Sequence, residues 1–343
     1  MYGVFALCAL LIGCSPPRAV LRTATRPAPV ALCAARCGDT LELTYLGVGG
    51  FVVRSGEQAL LTAPNFTHPD LLTIAFRLPV RSDSAMVARR LALVDTALLR
   101  TVPAILVGHA HYDHLLDVPV VARHWAPDAV IYGGPTVKHT LAGDRALDTA
   151  RVRALVDAEV GDRFHAGRWV YPAGGRFRFM AVRSDHAPVV AGVRFAQGRY
   201  TRDLERLPRS AVGYRLGEPY AYLIDVIAPD TTPLLRILYP DAAVGPARAA
   251  LPPRAGRDRR DVDLFILTAG NFDAVPDYPT AHIAALHPRL TVVAHWENFF
   301  RSPEHRPRLI PFLRARALAK RLDRAAPGSW VTPEPMGVLR VVY

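Results

Sequence analysis

Apolar and polar residues alternate along 41–46 (Leu-Glu-Leu-Thr-Tyr-Leu), stop at Gly47-Val48-Gly49-Gly50, and resume at 51–54. Alternation of period two on both sides of a glycine-rich break predicts a hairpin. Residues 59–63 continue the sheet. Helical spacing of apolar positions predicts helices over 85–100, 118–125, 135–141 and 309–323, the last strongly basic. Pro135 suits the first turn of its helix, where no backbone donor is needed. Short apolar runs at 104–107, 177–183, 220–227, 234–239, 262–267, 290–294 and 336–343 read as strands. Strands and helices alternate without an obvious linker after residue 40, and no short-period repeat appears. The Arg-rich stretch 194–217 is predicted to be a solvated loop, with a flap over the candidate site as the alternative.

The chemistry is concentrated where one of these strands ends. Directly after 104–107 comes Gly108-His109-Ala110-His111-Tyr112-Asp113-His114. Side chains two apart on extended backbone share a face, so His109 and His111 can grip one ion. Asp113 and His114 fall where the chain turns into a helix and can reach a second ion. Imidazole and carboxylate without a nearby thiolate suit an open zinc, manganese or iron site better than a closed structural one. Three more strand exits deliver a residue of ligand type: 177–183 runs into Ser184-Asp185-His186, 234–239 into Pro240-Asp241, and 290–294 into His295-Trp296-Glu297. Rigid strand ends are where ligands from distant segments can converge.

This ordered set resembles the metallo-β-lactamase superfamily of metal-dependent hydrolases, over about 41–343. The resemblance, together with the element order, implies an α/β chain folded as an αββα sandwich, two mixed β-sheets flanked by helices. It implies that His109, His111 and His186 hold one divalent ion, that Asp113, His114 and His295 hold another, and that Asp241 bridges them. Zinc is the expected metal, with manganese or iron as alternatives. A hydroxide shared by the two ions would be the nucleophile, Asp113 and Asp241 being the carboxylates of the catalytic centre. Within the superfamily, the stretches His109 to Leu115 and His295 to Phe299 are most similar to the branch of ascorbate-phosphate lactonases and the phospholipase D acting on N-acylphosphatidylethanolamine. The expected reaction is hydrolysis of a phosphodiester or ester, including a lipid, with lactone opening as the alternative. One position departs from the family: the aspartate that usually props the metal loop at the end of an early strand is Ala63 here, leaving Thr62 or Asn65 to supply the missing hydrogen bond. A metal-binding scaffold with little catalysis is the reading of another class that this departure supports. Asp185 and Glu297 are candidates to orient ligand imidazoles, Tyr112 to pack under the loop or bond substrate, His139 to approach the site, and Trp296 to pack against the sheet edge.

Composition bounds the rest. The chain has 343 residues, half of them hydrophobic, enough for a large core. Its net charge of +12 rests almost wholly on arginine, which favours anionic membranes or phosphate-bearing substrates. Nucleic acid ranks lower, because no recognisable nucleic-acid module accompanies the site, and a nuclease is kept as an alternative. The apolar run 4–12 is too short to span a bilayer and leads into Leu11-Ile12-Gly13-Cys14. It resembles a bacterial lipoprotein signal, although no Lys or Arg precedes the run. That resemblance implies residues 1–14 as a signal ending at a lipidated Cys14, 15–40 as a Pro- and Ala-rich tether, 41–343 as the hydrolase domain, and a membrane-anchored place on the periplasmic side of the envelope. Cys33 and Cys37 could then pair in an oxidising compartment.

Overall fold

The computed structural model describes residues 17–33, 38–188, 194–253, 258 and 260–343. Among them two mixed sheets are formed. The strands are β1 (Val30–Ala31), β2 (Thr40–Gly47), β3 (Gly50–Ser55), β4 (Gln58–Thr62), β5 (Ala104–Leu106), β6 (Val130–Gly133), β7 (Val152–Ala154), β8 (Phe177–Arg183), β9 (Tyr220–Ile227), β10 (Pro233–Pro240), β11 (Leu264–Thr268), β12 (Leu290–Ala294), β13 (Trp330–Val331) and β14 (Val338–Val342). The first sheet runs β1-β14-β2-β3-β4-β5-β6-β7 and the second β13-β12-β11-β10-β9-β8.

Alternation along the strands sorts their side chains into two apolar cores. Phe51 and Val53 of β3, Leu60 of β4, and Ala104 and Leu106 of β5 join the cluster shared with the second sheet, which includes Phe179, Tyr222, Ile237 and Val292. Their neighbours Val52, Leu61, Ile105 and Val107 point the other way, into a cluster with Val87, Leu99 and Val121 from helices on the outer face. Successive residues on a strand face opposite sides of the sheet, so one sequence stretch feeds both layers. On the other side, Ile283 and Leu286 of helix Thr280–Leu286 and Leu318 and Leu322 of helix Ala315–Ala325 close the second sheet. This is the expected sandwich.

Two predicted helices differ from the expectation. The stretch 85–100 is two helices, Ser84–Leu91 and Thr96–Arg100, because Asp95 accepts from the amides of Ala97 and Leu98 and caps a new helix. The basic helix begins at Ala315 rather than 309, because Pro311 lacks a donor and Phe312 takes a left-handed φ of +68°.

The N-terminal expectation also changes. Residues 1–14, with Cys14, lie outside the described residues. The segment 17–33, expected as tether, is docked on the domain. Helix Pro17–Leu21 packs on Ala315–Ala325, β1 pairs in parallel with β14, and Leu21 and Leu32 are buried. Arg18 donates to both oxygens of Glu334, which also accepts from the Thr23 and Thr25 hydroxyls. Enough apolar surface and paired charge lie in this short stretch to fix it. Cys33 is disulfide-bonded, and Cys37, its expected partner, lies outside the described residues.

Far from the strand exits that carry ligands, Asp225 of β9 is fully buried and accepts from Arg178 and from two nitrogens of Arg236. Both guanidiniums also lie over the Trp169 ring.

Candidate metal centre

Sheet topology explains why the ligand-type residues meet. β10, β11 and β12 are parallel, and β8 is antiparallel to β9, which is antiparallel to β10. β8, β10 and β12 therefore end at one edge, and His186, Asp241 and His295 are the residues just beyond those ends. β5 delivers the fourth segment. At Gly108 the chain passes so close to Asp241 that a Cβ there would lie 2.3 Å from the Asp241 Cβ, which requires glycine. His111 is extended and precedes helix Tyr112–Leu115, which carries Asp113 and His114.

The seven residues gather as the spacing predicts, and all but His186, which is partly exposed, are buried. Ring centroids of His109, His111 and His186 form a near-equilateral triangle with sides of 4.8, 4.8 and 4.9 Å. His186 turns its Nδ1 to the Ala187 carbonyl, 2.7 Å away, which leaves Nε2 free for the triangle. Beside it, Asp113 Oδ2 lies 3.6 Å from His114 Nε2 and 3.5 Å from His295 Nε2. Each triad brings its candidate ligand atoms within 4.8 Å of one another. The two triads touch through His109 and His114, whose rings are 4.1 Å apart.

The donors fit divalent ions. Nε2 of His109 and Nε2 of His111 are buried without a hydrogen-bond partner, and an orphaned buried nitrogen is costly unless something binds it. Burial, reinforced by neighbouring imidazoles, pushes His111 well below the usual histidine range and His186 down to about 3, so both offer neutral lone pairs. Burial alone would raise Asp113, but His114 and His295 hold it well below the carboxylate range.

Asp241, expected as the bridge, gathers with His109 and His114 into a third buried cluster whose candidate ligand atoms lie within 4.8 Å of one another. Its Oδ2 accepts from Gly108 N and lies 3.1 Å from His109 Nδ1; its Oδ1 lies 2.9 Å from His114 Nδ1 and accepts from the Tyr239 hydroxyl. It thus faces the Nδ1 side of one imidazole from each triad, while the His109 Nε2 and His114 Nε2 atoms face the triads. Gly49 allows this approach, since a Cβ there would come within 2.5–2.8 Å of Asp241, Tyr239 and His114.

Supports lie around the loops. At the departure from the family pattern, Ala63 contributes only a backbone bond to Leu106. Asn65 Nδ2 reaches the Tyr112 carbonyl at 3.4 Å, and Thr62 donates to the Gly49 carbonyl. Asp117, fully buried, accepts from the amides of Phe66 and Thr67 and the hydroxyls of Thr67 and Ser82. Glu297 does not orient an imidazole: it accepts from the Tyr45 hydroxyl and Val48 N, and Tyr45 accepts from His295 N. Asp185 accepts from His186 N. His139 pairs with Asp203 outside the cluster. Tyr112 packs under the loop, its hydroxyl unpartnered, and Trp296 is fully buried. The stretch 194–217 is solvated along 197–206, as predicted, while its two ends lie on the metal loop: the Phe195 ring is 5.6 Å from His111, and Ala110 N bonds Leu216 O. Tyr45, Tyr239, Asp117 and Phe195 were not singled out in the sequence. The signal available for the two tyrosines was their position beside a strand exit.

Residues 82–235 match the model of the beta-lactamase superfamily domain. No curated protein matches the sequence. Igni18, a metallo hydrolase from the archaeon Ignicoccus hospitalis, shares the fold with a TM-score of 0.54 and 14% identity, over 89% of this chain and 99% of that one. An isothiocyanate hydrolase from Delia radicum gut bacteria is similar over 87% of this chain and 98% of its own, at 14% identity and a TM-score of 0.49. Residues 82–235 are thus similar to the beta-lactamase superfamily domain, and the chain has the metallo-β-lactamase fold with a converging set of ligand-type residues.

Proposed function

We propose that the protein hydrolyses a phosphodiester or ester with two divalent ions, zinc foremost, held by His109, His111 and His186 and by Asp113, His114 and His295. The carrying observation is the pair of triads, buried but for the partly exposed His186, that meet at His109 and His114. Ions held there supply Lewis acidity and an acidified water. The chain's own residues do the remainder. Burial keeps His111 and His186 neutral, and His114 and His295 keep Asp113 ionised. Asp241, in this reading, orients His109 and His114 through their Nδ1 atoms, as carboxylates do for metal-binding histidines. Tyr239 holds Asp241 and Tyr45 holds the His295 amide, with Glu297 fixing Tyr45. Phe195 packs edge-on against the His111 ring.

The similarity of 109–115 and 295–299 to the lactonase and phospholipase branch supports an anionic, phosphate-bearing substrate, as does the net charge of +12. The lipoprotein-like 11–14 supports a lipid-anchored place in the cell envelope. The test is a panel of chromogenic phosphodiesters, esters and lactones given to protein stripped by chelator and reloaded with zinc or manganese. Phosphodiester or ester turnover that disappears on stripping and returns on reloading is expected. Turnover of lactones alone would move the substrate class, and turnover indifferent to chelator would end the metal reading.

A further inference from the structure

The segment after β4 breaks the rule that soluble surfaces scatter their large apolar side chains. Helix Leu71–Ala75 has no buried residue although it reads Leu-Leu-Thr-Ile-Ala. Leu71, Leu72, Phe76 and Leu78 are 46, 67, 72 and 48% exposed, four of the nine large exposed hydrophobics among the described residues, within eight positions. So short a helix is not stable by itself. It is held by local bonds instead: Asp70 caps it through Thr73 N, Leu78 N returns to Thr73 O, and Val80 N is tied to Arg209 O. The apolar side chains are thus presented on a fixed frame.

That frame sits beside the metal centre. Asp117, three residues past His114, holds Phe66, Thr67 and Ser82 at the two ends of the segment. His68 Nδ1 meets Arg301 O, joining it to the loop that follows His295. Between them opens a cleft lined by His68, Glu297, Asn298, Arg301, Arg306 and Arg308. Charge decides what the apolar face fits. Arg77 and Arg81 lie within or beside the patch, and Arg301, Arg306 and Arg308 line the cleft that His68 also lines. Among the described residues these five guanidiniums make no ion pair, whereas the nearby acids are engaged, Asp117 by four donors, Asp83 as a helix cap and Glu304 by Arg89. A second copy of so cationic a face would repel the first.

We propose that residues 71–78 insert into the headgroup layer of an anionic lipid bilayer, with Arg77, Arg81, Arg301, Arg306 and Arg308 toward lipid phosphates, so that the mouth of the metal centre meets the membrane surface. Apolar side chains flanked by arginine are the composition that interfacial elements use. The proposal deepens the hydrolase reading by making its substrate an amphiphile, and its test involves no turnover, so either can fail alone. Full-length protein is floated with vesicles of phosphatidylcholine alone and of phosphatidylcholine with phosphatidylglycerol, beside Leu72→Ser/Phe76→Ser and Arg77→Gln/Arg81→Gln. Residues 1–16 are common to all, so differences read the patch. Expected is a loss of about tenfold or more in anionic-vesicle affinity for the first variant, and for the second a loss confined to anionic vesicles, with metal content unchanged in both. A Phe76→Trp variant adds a direct readout, a blue shift of emission on adding anionic vesicles. Equal flotation of Leu72→Ser/Phe76→Ser and wild type, or no shift from Phe76→Trp, would overturn the proposal. Self-association that Leu72→Ser/Phe76→Ser abolishes would overturn it in favour of a second copy.

Discussion

Asp241→Asn separates an orienting carboxylate from a bridging one. The variant keeps the shape of the side chain and an acceptor for either Gly108 N or Tyr239, which use different oxygens in the wild type, and removes the charge facing His109 and His114. Burial opposes ionisation of Asp241, yet His114 and His109 hold it well below the carboxylate range, so the wild-type group is an anion at working pH. An anion behind an imidazole raises the basicity of the nitrogen on the far side and fixes the ring. Losing such a partner costs about 10–100-fold in metal affinity, or about 1.4–2.7 kcal/mol. Because Asp241 faces one imidazole of each triad, both ions should weaken by that order, while two still bind at saturation. Competition of zinc with a chromogenic chelator, followed by elemental analysis at excess zinc, reads affinity and stoichiometry separately. Loss of one ion at saturating zinc would show that Asp241 is a direct ligand, and unchanged affinity would show that it does neither.

Other perturbations reach the supports. Glu297→Ala leaves Val48 N buried without an acceptor and the Tyr45 hydroxyl with only the Val48 carbonyl at 3.3 Å, and an unsatisfied buried group costs about 1–3 kcal/mol; urea unfolding should show it, with weaker binding at the His295 side, and an unchanged midpoint would discount Glu297 as a support. Asp225→Ala leaves the buried Arg178 and Arg236 with Asp258 as their remaining carboxylate and should cost up to about 3–5 kcal/mol while two ions still bind; metal loss on the folded variant would mean that this cluster communicates with the centre. Arg18, with Thr23 and Thr25, holds Glu334 down from 4.5 to about 2. A depressed carboxylate contributes stability above its unfolded value that fades as pH falls from about 4.5 through about 2. Residues 17–33 should therefore become open to proteolysis in that window, and Glu334→Gln should leave them open at neutral pH; protection that ignores pH and the substitution would refute the docking role.

What the sequence disclosed and withheld follows from how far each signal reaches. His109, His111, Asp113 and His114 are local: a buried strand, a glycine and ligand types in two steps of extended chain specify one another. His186, Asp241 and His295 were legible because each stands just past an apolar run, and parallel strands deliver such positions to one edge. The side of His109 and His114 that Asp241 faces was not legible, since it depends on Gly49 and Gly108 allowing an approach between segments more than a hundred residues apart. Ala63 was visible as a departure, but not the response to it, which is spread over Asn65, Thr62 and Asp241. The docking of 17–33 hid for the same reason, since Arg18 meets Glu334 across 316 positions. The break at Asp95 could have been read locally, because Asp followed by Thr-Ala-Leu-Leu is a helix start as much as a helix interior.

The central claim is two ions held by two separate triads. Metal per chain, measured by elemental analysis on wild type, His186→Ala and His295→Ala after saturation with zinc and removal of the excess, tests it most directly. Two ions in the wild type and one in each variant are predicted. One ion or none in the wild type, or two retained in either variant, would contradict the account.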